Sequence, residues 1–328
     1  MKILVVRFRQ MGDAILATPL LNTLKKSFPD AEIDFVLNKR IAPLFDGHPA
    51  ISRVITFSDE ERHSFFTYIN KVWRITHQKK RYDVIIDMRS TMNTMLFALF
   101  SLRSKWRIGI RKPYTFGIFN HRIEGCKDDE SMITHNLKLA VPLKPALIDR
   151  NLTLSITEKE KADFRIYMQD EGIDFHRPVM LVGVTAKLEN KTWAEDRMTE
   201  TLRRLLDTFP HLQLIFNYAP GREAENARRI YEHLGAHQNI FLQIQAKSPR
   251  ELAAMAANCT AYFGNEGGGR HIVHAMGKPS LVICSPLASK TTWLPQDTDV
   301  IAWGIDANDA TVEKVWNQLL VFCKELAI

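Results

Sequence analysis

Short apolar runs alternate with stretches of helical periodicity along most of this chain. Strands that alternate with helices predict βαβ units and a parallel sheet. The alternation runs through residues 1–150 and begins again after residue 150. We therefore predict an α/β protein built from two doubly wound halves. In the first half the expected strands are 2–8, 32–37, 53–57 and 83–87. One helix is expected to begin at Asp13, and two more are expected over residues 65–79 and 93–102.

The second half repeats this plan. Its expected strands are 179–184, 212–217, 240–242, 261–264 and 280–284, and its expected helices are 196–209, 223–234, 249–258, 271–276 and 310–326. Residues 142–174 are expected to link the two sheets. A length of 328 residues fits two domains of ordinary size.

Composition and motif spacing exclude several classes. Hydrophobic residues form 45% and charged residues 25% of the chain, which are globular values that argue against disorder and coiled coil. The four cysteines lie far apart, so we expect reduced thiols rather than a zinc site or a disulfide framework. Eleven histidines show no metal-ligand spacing, and we predict no metal. The start resembles no signal peptide and no apolar run spans a membrane, so we expect a cytoplasmic protein.

Charge is unevenly distributed between the halves. Residues 1–150 hold 25 Lys and Arg against 15 Asp and Glu, whereas residues 151–328 hold 19 against 22. A basic half suits three kinds of anionic partner: nucleic acid, an acidic membrane surface or a phosphorylated substrate.

Chemistry is expected just after the strands, because open α/β sheets bind ligands beyond the carboxyl ends of their strands. The first strand leads into Gly12 and Asp13. Asp13 is a candidate general base, but it equally suits a helix N-cap. Pro19 is expected to bend or break the helix that follows.

Two further loops have the same strand, turn and helix order. In one, Thr185 and Lys191 can contact a phosphate, although a solvated loop lysine beside a packed Trp193 fits equally well. In the other, Glu223 follows Gly221 and can bond ribose hydroxyls, although glutamate is also common in the first turn of a helix.

The most unusual segment is Glu266-Gly267-Gly268-Gly269-Arg270-His271, between a strand and a helix. Glycines there let backbone N–H groups approach a phosphate, while a flexible surface turn is the alternative. The segment matches neither the Walker pattern nor Gly-x-Gly-x-x-Gly, so a dehydrogenase is disfavoured.

Taken together, these segments resemble glycosyltransferase family 9, the lipopolysaccharide heptosyltransferases. The similarity is carried by the opening through Met11-Gly12-Asp13 to Pro19, by Lys191-Thr192-Trp193, by His135-Asn136, and by His271 followed by Ala275-Met-Gly-Lys-Pro279. The resemblance implies a GT-B fold, with two Rossmann-like domains facing across a cleft. It implies an acceptor-binding domain at 1–160, a nucleotide-sugar-binding domain at 161–309 and a C-terminal helix at 310–328 that packs back on the first domain.

The resemblance also implies residue roles. Asp13 would be the catalytic base, and Lys191 would assist the leaving diphosphate. Donor contacts would come from Thr185, Lys191, Glu223, Glu266, Gly267, Gly268, Gly269, Arg270 and His271. Acceptor contacts would come from Gly12, Arg62, Arg107, Arg111 and His135. Glu266-Gly267-Gly268 departs from the family's usual Asp-Ser/Thr-Gly.

The implied activity is an inverting, metal-independent transfer of a sugar, heptose from ADP-heptose, onto a lipopolysaccharide or lipooligosaccharide core. The nucleotide sugar would be a co-substrate, with no cofactor. The anionic, lipid-linked acceptor implies a peripheral position on the cytoplasmic face of the inner membrane and no nucleic-acid partner. The alternatives are a sugar-nucleotide epimerase on the same fold and a basic nucleic-acid-binding protein.

Overall fold

The computed structural model describes residues 1–8, 10–285, 289–295 and 297–328. It divides into two compact units, Met1–Ser155 and Ile156–Ile328. The division falls five residues before the domain boundary expected at 160.

Unit 1 is built on a six-stranded sheet in which all described strand pairs are parallel. Its order, β3-β2-β1-β4-β5-β6, is that of a Rossmann-type sheet, so the switch point lies between β1 and β4. The elements are β1 (Lys2–Val6), α1 (Met11–Ile15), α2 (Thr18–Ser27), β2 (Glu32–Asn38), β3 (Arg53–Phe57), α3 (Asp59–His63), α4 (Phe65–Thr76), β4 (Val84–Asp87), α5 (Leu96–Leu99), β5 (Trp106–Ile110), β6 (His121–Ile123) and α6 (Met132–Lys138).

Unit 2 repeats the topology. Its sheet runs β9-β8-β7-β10-β11-β12, with the switch point between β7 and β10. The elements are α7 (Glu158–Asp170), β7 (Val179–Gly183), α8 (Glu195–Thr208), β8 (Gln213–Phe216), α9 (Arg222–His233), β9 (Ile240–Phe241), α10 (Pro249–Ala257), β10 (Ala261–Asn265), α11 (Gly268–Ala275), β11 (Ser280–Cys284), α12 (Lys290–Trp293), β12 (Ala302–Asp306) and α13 (Val312–Glu325). The predicted pair of doubly wound halves is confirmed.

Pro19 acts as predicted. The helical stretch after β1 is interrupted, and Pro19 lies in the first turn of α2. Its missing N–H has no intrahelical acceptor at that position, and its fixed φ suits a helix start. The break separates the short helix that carries Asp13 from the longer helix that packs on α6.

The last helix belongs to the core of unit 2. Val315, Leu319 and Phe322 are buried, and α13 packs against α8. The structure thus places the segment expected to cross to the first domain within the second unit, because its apolar stripe is covered there.

Some elements were not predicted. Residues 158–170, inside the expected linker, form α7, whose Thr157 and Glu160 make a capping box. That Thr-x-x-Glu spacing is a readable helix start. Strands β5, β6 and β12 were also missed, because most of their residues are only partly buried and they lack a long apolar run. The helix expected over 93–102 is α-helical only at Leu96–Leu99.

Among the described residues, no helix combines the length and apolar character needed to cross a bilayer.

Candidate active site

Asp13 is held at the switch point of unit 1 by an arginine. Arg7 follows β1 directly, and its Nη2 donates to Asp13 Oδ1 at 2.8 Å. Its Nη1 donates to the carbonyl of Met88, just after β4, at 3.0 Å. Both side chains are buried. Arg7 therefore bridges the carboxyl ends of the two central strands and fixes the carboxylate beside them.

Asp13 is not a helix cap. It is the third residue of α1, whose N-cap position is Gln10, and the described residues provide no side-chain cap there. The N-cap interpretation of Asp13 is therefore wrong. Gly12 precedes it inside the same buried helix.

Helix α6 places His135 near the Arg7–Asp13 pair. This helix packs on α2, and Asn136 Nδ2 donates to the carbonyl of Leu16 at 2.7 Å. Burial lowers the pKa of His135, Glu130 opposes this shift, and the positive charge of Arg7 adds to it. His135 is therefore neutral near pH 7 and lies within electrostatic reach of the Arg7–Asp13 pair.

Ligand atoms of Cys126, Glu130 and His135 lie within 4.8 Å of one another, an arrangement that metal-motif spacing did not reveal. The carboxylate of Glu130 is already paired with Lys138. The expectation of no metal stays a prediction.

A cavity of about 410 Å³ lies at the carboxyl edge of the first sheet. Phe8, Arg62, Arg89 and Tyr114 are among its lining residues. Arg62 Nη1 donates to Asn38 Oδ1 at 2.9 Å, and Arg89 Nη1 donates to the carbonyl of Phe8 at 2.6 Å. Two guanidinium groups beside aromatic rings suit a ligand that carries both anionic groups and sugar hydroxyls.

Arg89 and Tyr114 line this cavity and were not among the predicted site residues. The signal for Arg89 is its position just after a buried strand. Asp87, the last residue of β4, shapes that turn, because its Oδ1 accepts from the backbone N–H of Arg89 at 2.9 Å and of Ser90 at 2.8 Å. Complete burial raises the pKa of Asp87.

The remaining predicted acceptor residues, Arg107 and Arg111, lie at opposite ends of β5. Arg111 follows β5 and pairs with Glu124 at 2.8 Å on the surface. Arg107 lies near the amino end of β5, at the edge opposite Asp13. It donates to carbonyls of Leu102 (2.8 Å), Ser104 (2.8 Å) and Ile118 (2.9 Å). The structure does not bring Arg107 to the switch point, because its guanidinium is used to hold the preceding turn.

In unit 2 the two central strands approach closely at the switch point. Gly264 has a φ of +135°, and a Cβ there would lie 2.4 Å from the carbonyl oxygen of Gly183. The next residue, Asn265, donates from Nδ2 to that carbonyl at 3.0 Å and accepts from the N–H of Trp193 at 2.7 Å. Asn265 thereby anchors the loop that carries Lys191 to the switch point.

The structure brings the two donor-site candidates Thr185 and Glu223 together. Thr185 Oγ1 donates to Glu223 Oε2 at 3.0 Å, although 38 residues separate them. Gly221, with a φ of +83°, makes the turn into α9 that brings Glu223 there.

Lys191 ends a short 3₁₀ turn, Glu189–Lys191, and is half-buried. Among the described residues its ammonium group has no ion-pair partner. Arg222 holds the same loop through Glu189 at 3.1 Å and the carbonyl of Lys187 at 3.0 Å. Lys191 is therefore a cation available to a ligand.

The glycine segment forms the N-terminus of α11. Gly267 occupies the N-cap position, and the described residues supply no side-chain cap to the first turn. A Cβ at Gly267 would have no atom of the described chain within 4 Å. Glu266 is half-buried beside this turn. Uncapped N–H groups and the helix dipole are features that favour an anion at a helix N-terminus.

Arg270 and His271 lie on the buried side of α11. Arg270 Nη2 donates to the carbonyl of Trp293 at 2.8 Å, whereas its Nε and Nη1 have no partner among the described residues. Burial lowers the pKa of Arg270, and burial lowers that of His271 well below its usual range. Arg270 adds positive charge beneath the first turn, while His271 is neutral.

Two Rossmann-like units in one chain, each with polar loops at its switch point, form the GT-B fold, which solved heptosyltransferase structures share. The family model for glycosyltransferase family 9 (heptosyltransferase) matches residues 71–317, and the chain belongs to this family. It is therefore a glycosyltransferase.

Relatives cover most of the chain. Lipopolysaccharide heptosyltransferase 1 of Campylobacter coli is 20% identical over 294 residues, which span 86% of this chain and 83% of that protein. Two solved structures share the fold. The glycosyl transferase family 9 protein of Veillonella parvula DSM 2008 has a TM-score of 0.85 and 17% identity, with 99% of this chain and 97% of that one covered. The E. coli ADP-heptose lps heptosyltransferase II has a TM-score of 0.76 and 20% identity, with both chains fully covered.

Proposed function

We propose that this protein transfers heptose from ADP-heptose onto a lipopolysaccharide core acceptor, with inversion at the anomeric carbon and without a metal ion. The observation that carries the proposal is the convergence of Thr185, Glu223 and the N-terminus of α11 at the switch point of unit 2. The donor is suggested by the name of the E. coli structural relative.

The donor site divides into three parts. Glu223 accepts hydrogen bonds from the ribose hydroxyls, as acidic residues do in dinucleotide folds. Lys191, Thr185 and the first-turn N–H groups of α11 hold the diphosphate, with Glu266 and the glycines beside it. Arg270 contributes positive charge from below the helix, and His271 packs against it. The chain's own cations then compensate the leaving diphosphate.

Asp13 is the proposed base. Its carboxylate takes the proton of the acceptor hydroxyl while that oxygen attacks the anomeric carbon. The bond from this carbon to the diphosphate oxygen breaks, and ADP leaves with the electron pair. Arg7 fixes the position of the carboxylate during this step through its hydrogen bond to Oδ1.

Acceptor recognition is assigned to the carboxyl edge of unit 1. Arg62 and Arg89 in the 410 Å³ cavity would hold phosphate or carboxylate groups of the acceptor. Arg111 and His135 lie at the same edge. Because this acceptor is lipid-linked, we also propose a peripheral position on the cytoplasmic face of the inner membrane.

A thermal-shift panel of ADP-, GDP-, UDP- and CDP-sugars tests the donor. The true donor stabilises the native state by RT ln(1 + [L]/Kd), so ADP-heptose should give the largest shift. Glu223→Ala should remove most of that shift, whereas Glu225→Ala, in the same turn of α9, should retain it. A largest shift with another nucleotide would refute the ADP-heptose assignment.

Product analysis tests the reaction. With ADP-heptose and a core acceptor, NMR should show one new glycosidic bond whose anomeric configuration is opposite to that of the donor. Conversion of the nucleotide sugar without any acceptor would instead indicate the epimerase alternative. Retained configuration would refute the single-displacement mechanism.

A further inference from the structure

Unit 1 exposes a cluster of large apolar side chains on α4 and α5. Phe65, Phe66 and Trp73 of α4 are 67%, 84% and 51% exposed, and Leu99 and Leu102 are 38% and 55% exposed. Scattered single apolar residues on a surface need no explanation, but a contiguous group marks an interaction site. We call these five residues the aromatic patch.

The patch extends along one face of α4, with the exposed Asn70 between its Phe66 and Trp73 ends. On α4, Phe66 and Trp73 are seven residues apart and so share one helix face, about 10 Å apart along the axis. The rings of Phe65 and Phe66 pack edge to face at 5.6 Å. Helix α5 packs against α4, and Trp73, Leu99 and Leu102 line one depression of about 500 Å³.

Cations lie beside the Trp73 end of the patch, whereas the acidic residues Asp59, Glu60 and Glu61 of α3 precede its Phe65 end. Arg81 and Arg103 line the same depression. Residues 64–123 contain twelve Lys and Arg but only two acidic residues, Asp83 and Asp87. Asp87 is completely buried, and Asp83 accepts a hydrogen bond from the backbone N–H of Lys2. This segment accounts for the whole positive excess of the first 150 residues.

We propose that the aromatic patch and its rim of cations dock unit 1 on an anionic phospholipid bilayer. Amphipathic helices with aromatic residues on one side and Lys or Arg beside them lie in the membrane interface, where rings insert and cations meet headgroups. A second copy of the chain would bring the same positive charge against this rim, so charge complementarity favours the lipid surface. This inference rests on the proposed function, because a lipid-linked acceptor lies in a membrane. Vesicle binding nevertheless tests it without any transfer reaction.

Sedimentation with vesicles measures the docking. The full-length protein should bind vesicles of phosphatidylcholine with phosphatidylglycerol and should bind vesicles of phosphatidylcholine alone far more weakly. The triple change Phe65→Ser, Phe66→Ser, Trp73→Ser should lower the partition coefficient at least about tenfold, since inserting three aromatic rings contributes more than one tenfold step. The matched control is Ile166→Ser, Ile301→Ser, Val321→Ser, which removes three exposed apolar side chains from unit 2.

A second measurement reports insertion directly. Brominated lipid should quench part of the tryptophan fluorescence, and Trp73→Phe should abolish that part while vesicle binding persists. Quenching that is unchanged in Trp73→Phe would overturn the proposal.

Failure to bind anionic vesicles, or equal loss in the patch and control variants, would also overturn it. So would a dimer that dissociates only in the patch variant, because a second copy would then cover this face. Transfer to a soluble, delipidated acceptor should be unchanged in the patch variant. Loss of transfer with intact vesicle binding would count against the proposed function alone.

Discussion

Replacing Asp13 by Asn tests the proposed base. Asn keeps an oxygen that can accept the Arg7 hydrogen bond at the observed 2.8 Å, but it cannot take a proton. General-base catalysis contributes about 10²–10⁴-fold, so kcat should fall by that factor, equivalent to about 3–5 kcal/mol in the activation barrier. The Kd of the nucleotide sugar should stay within about twofold, because Asp13 belongs to unit 1 and the proposed donor residues to unit 2.

Stability must be separated from chemistry in this variant. Arg7 and Asp13 are both buried, and a hydrogen bond to a charged group contributes about 1.5–3 kcal/mol. Asp13→Asn should therefore lower the free energy of unfolding by about 1–3 kcal/mol, less than complete removal of one ion-pair partner. Urea denaturation gives this value independently of activity.

Asp34→Asn is the matched control. Asp34 is equally buried and pairs with Arg53 at 2.5 Å, but it lies in the amino half of β2, away from the carboxyl edge. It should show a similar loss of stability and keep kcat. Near-wild-type kcat in Asp13→Asn, or an equal loss of kcat in Asp34→Asn, would refute the assignment of the base.

Three further outcomes are expected. Lys191→Ala should raise the Kd for ADP, measured by calorimetry, about 10- to 100-fold. Lys187 is an exposed lysine of the same loop, and Lys187→Ala should change this Kd little. Equal effects of the two substitutions would contradict a specific contact between Lys191 and the diphosphate. Gly264→Ala should cost more than about 3 kcal/mol in urea unfolding through its φ of +135° and the 2.4 Å approach to a backbone oxygen. Gly267→Ala should change the free energy of unfolding by no more than about 0.5 kcal/mol. A similarly small decrease in this free energy for Gly264→Ala would contradict the prediction, because it would show that the two central strands can separate. Burial lowers the pKa of His48 to about 4. Between pH 6.5 and 4 His48 is therefore protonated in the unfolded chain but largely neutral in the folded one, because its pKa in the unfolded chain is about 6.5. The free energy of unfolding should fall by about 3 kcal/mol over this range. His48→Gln should flatten that decline, and an unchanged slope in urea titrations would contradict it.

The sequence determined that the chain forms two doubly wound parallel halves, and it predicted candidate site residues after their strands. The nearly continuous apolar runs of β1 and β7 are buried on both faces, which is typical of a parallel sheet covered by helices. Glycine and proline act locally, so the turn at Gly221 and the break at Pro19 follow from backbone geometry alone. These local rules placed Asp13, Thr185 and Glu223 at strand ends.

Tertiary structure alone decided which partners these side chains meet. The Arg7 bridge to Met88 and the Thr185–Glu223 bond join residues 81 and 38 positions apart, and no local periodicity encodes such pairs. Arg107 looked equivalent to Arg111 in a basic stretch, but it is the second residue of β5 whereas Arg111 follows that strand. Four residues of extended chain rise about 13 Å. That separation puts two similar arginines at opposite edges of one sheet, and only the register of β5 in the folded protein reveals it.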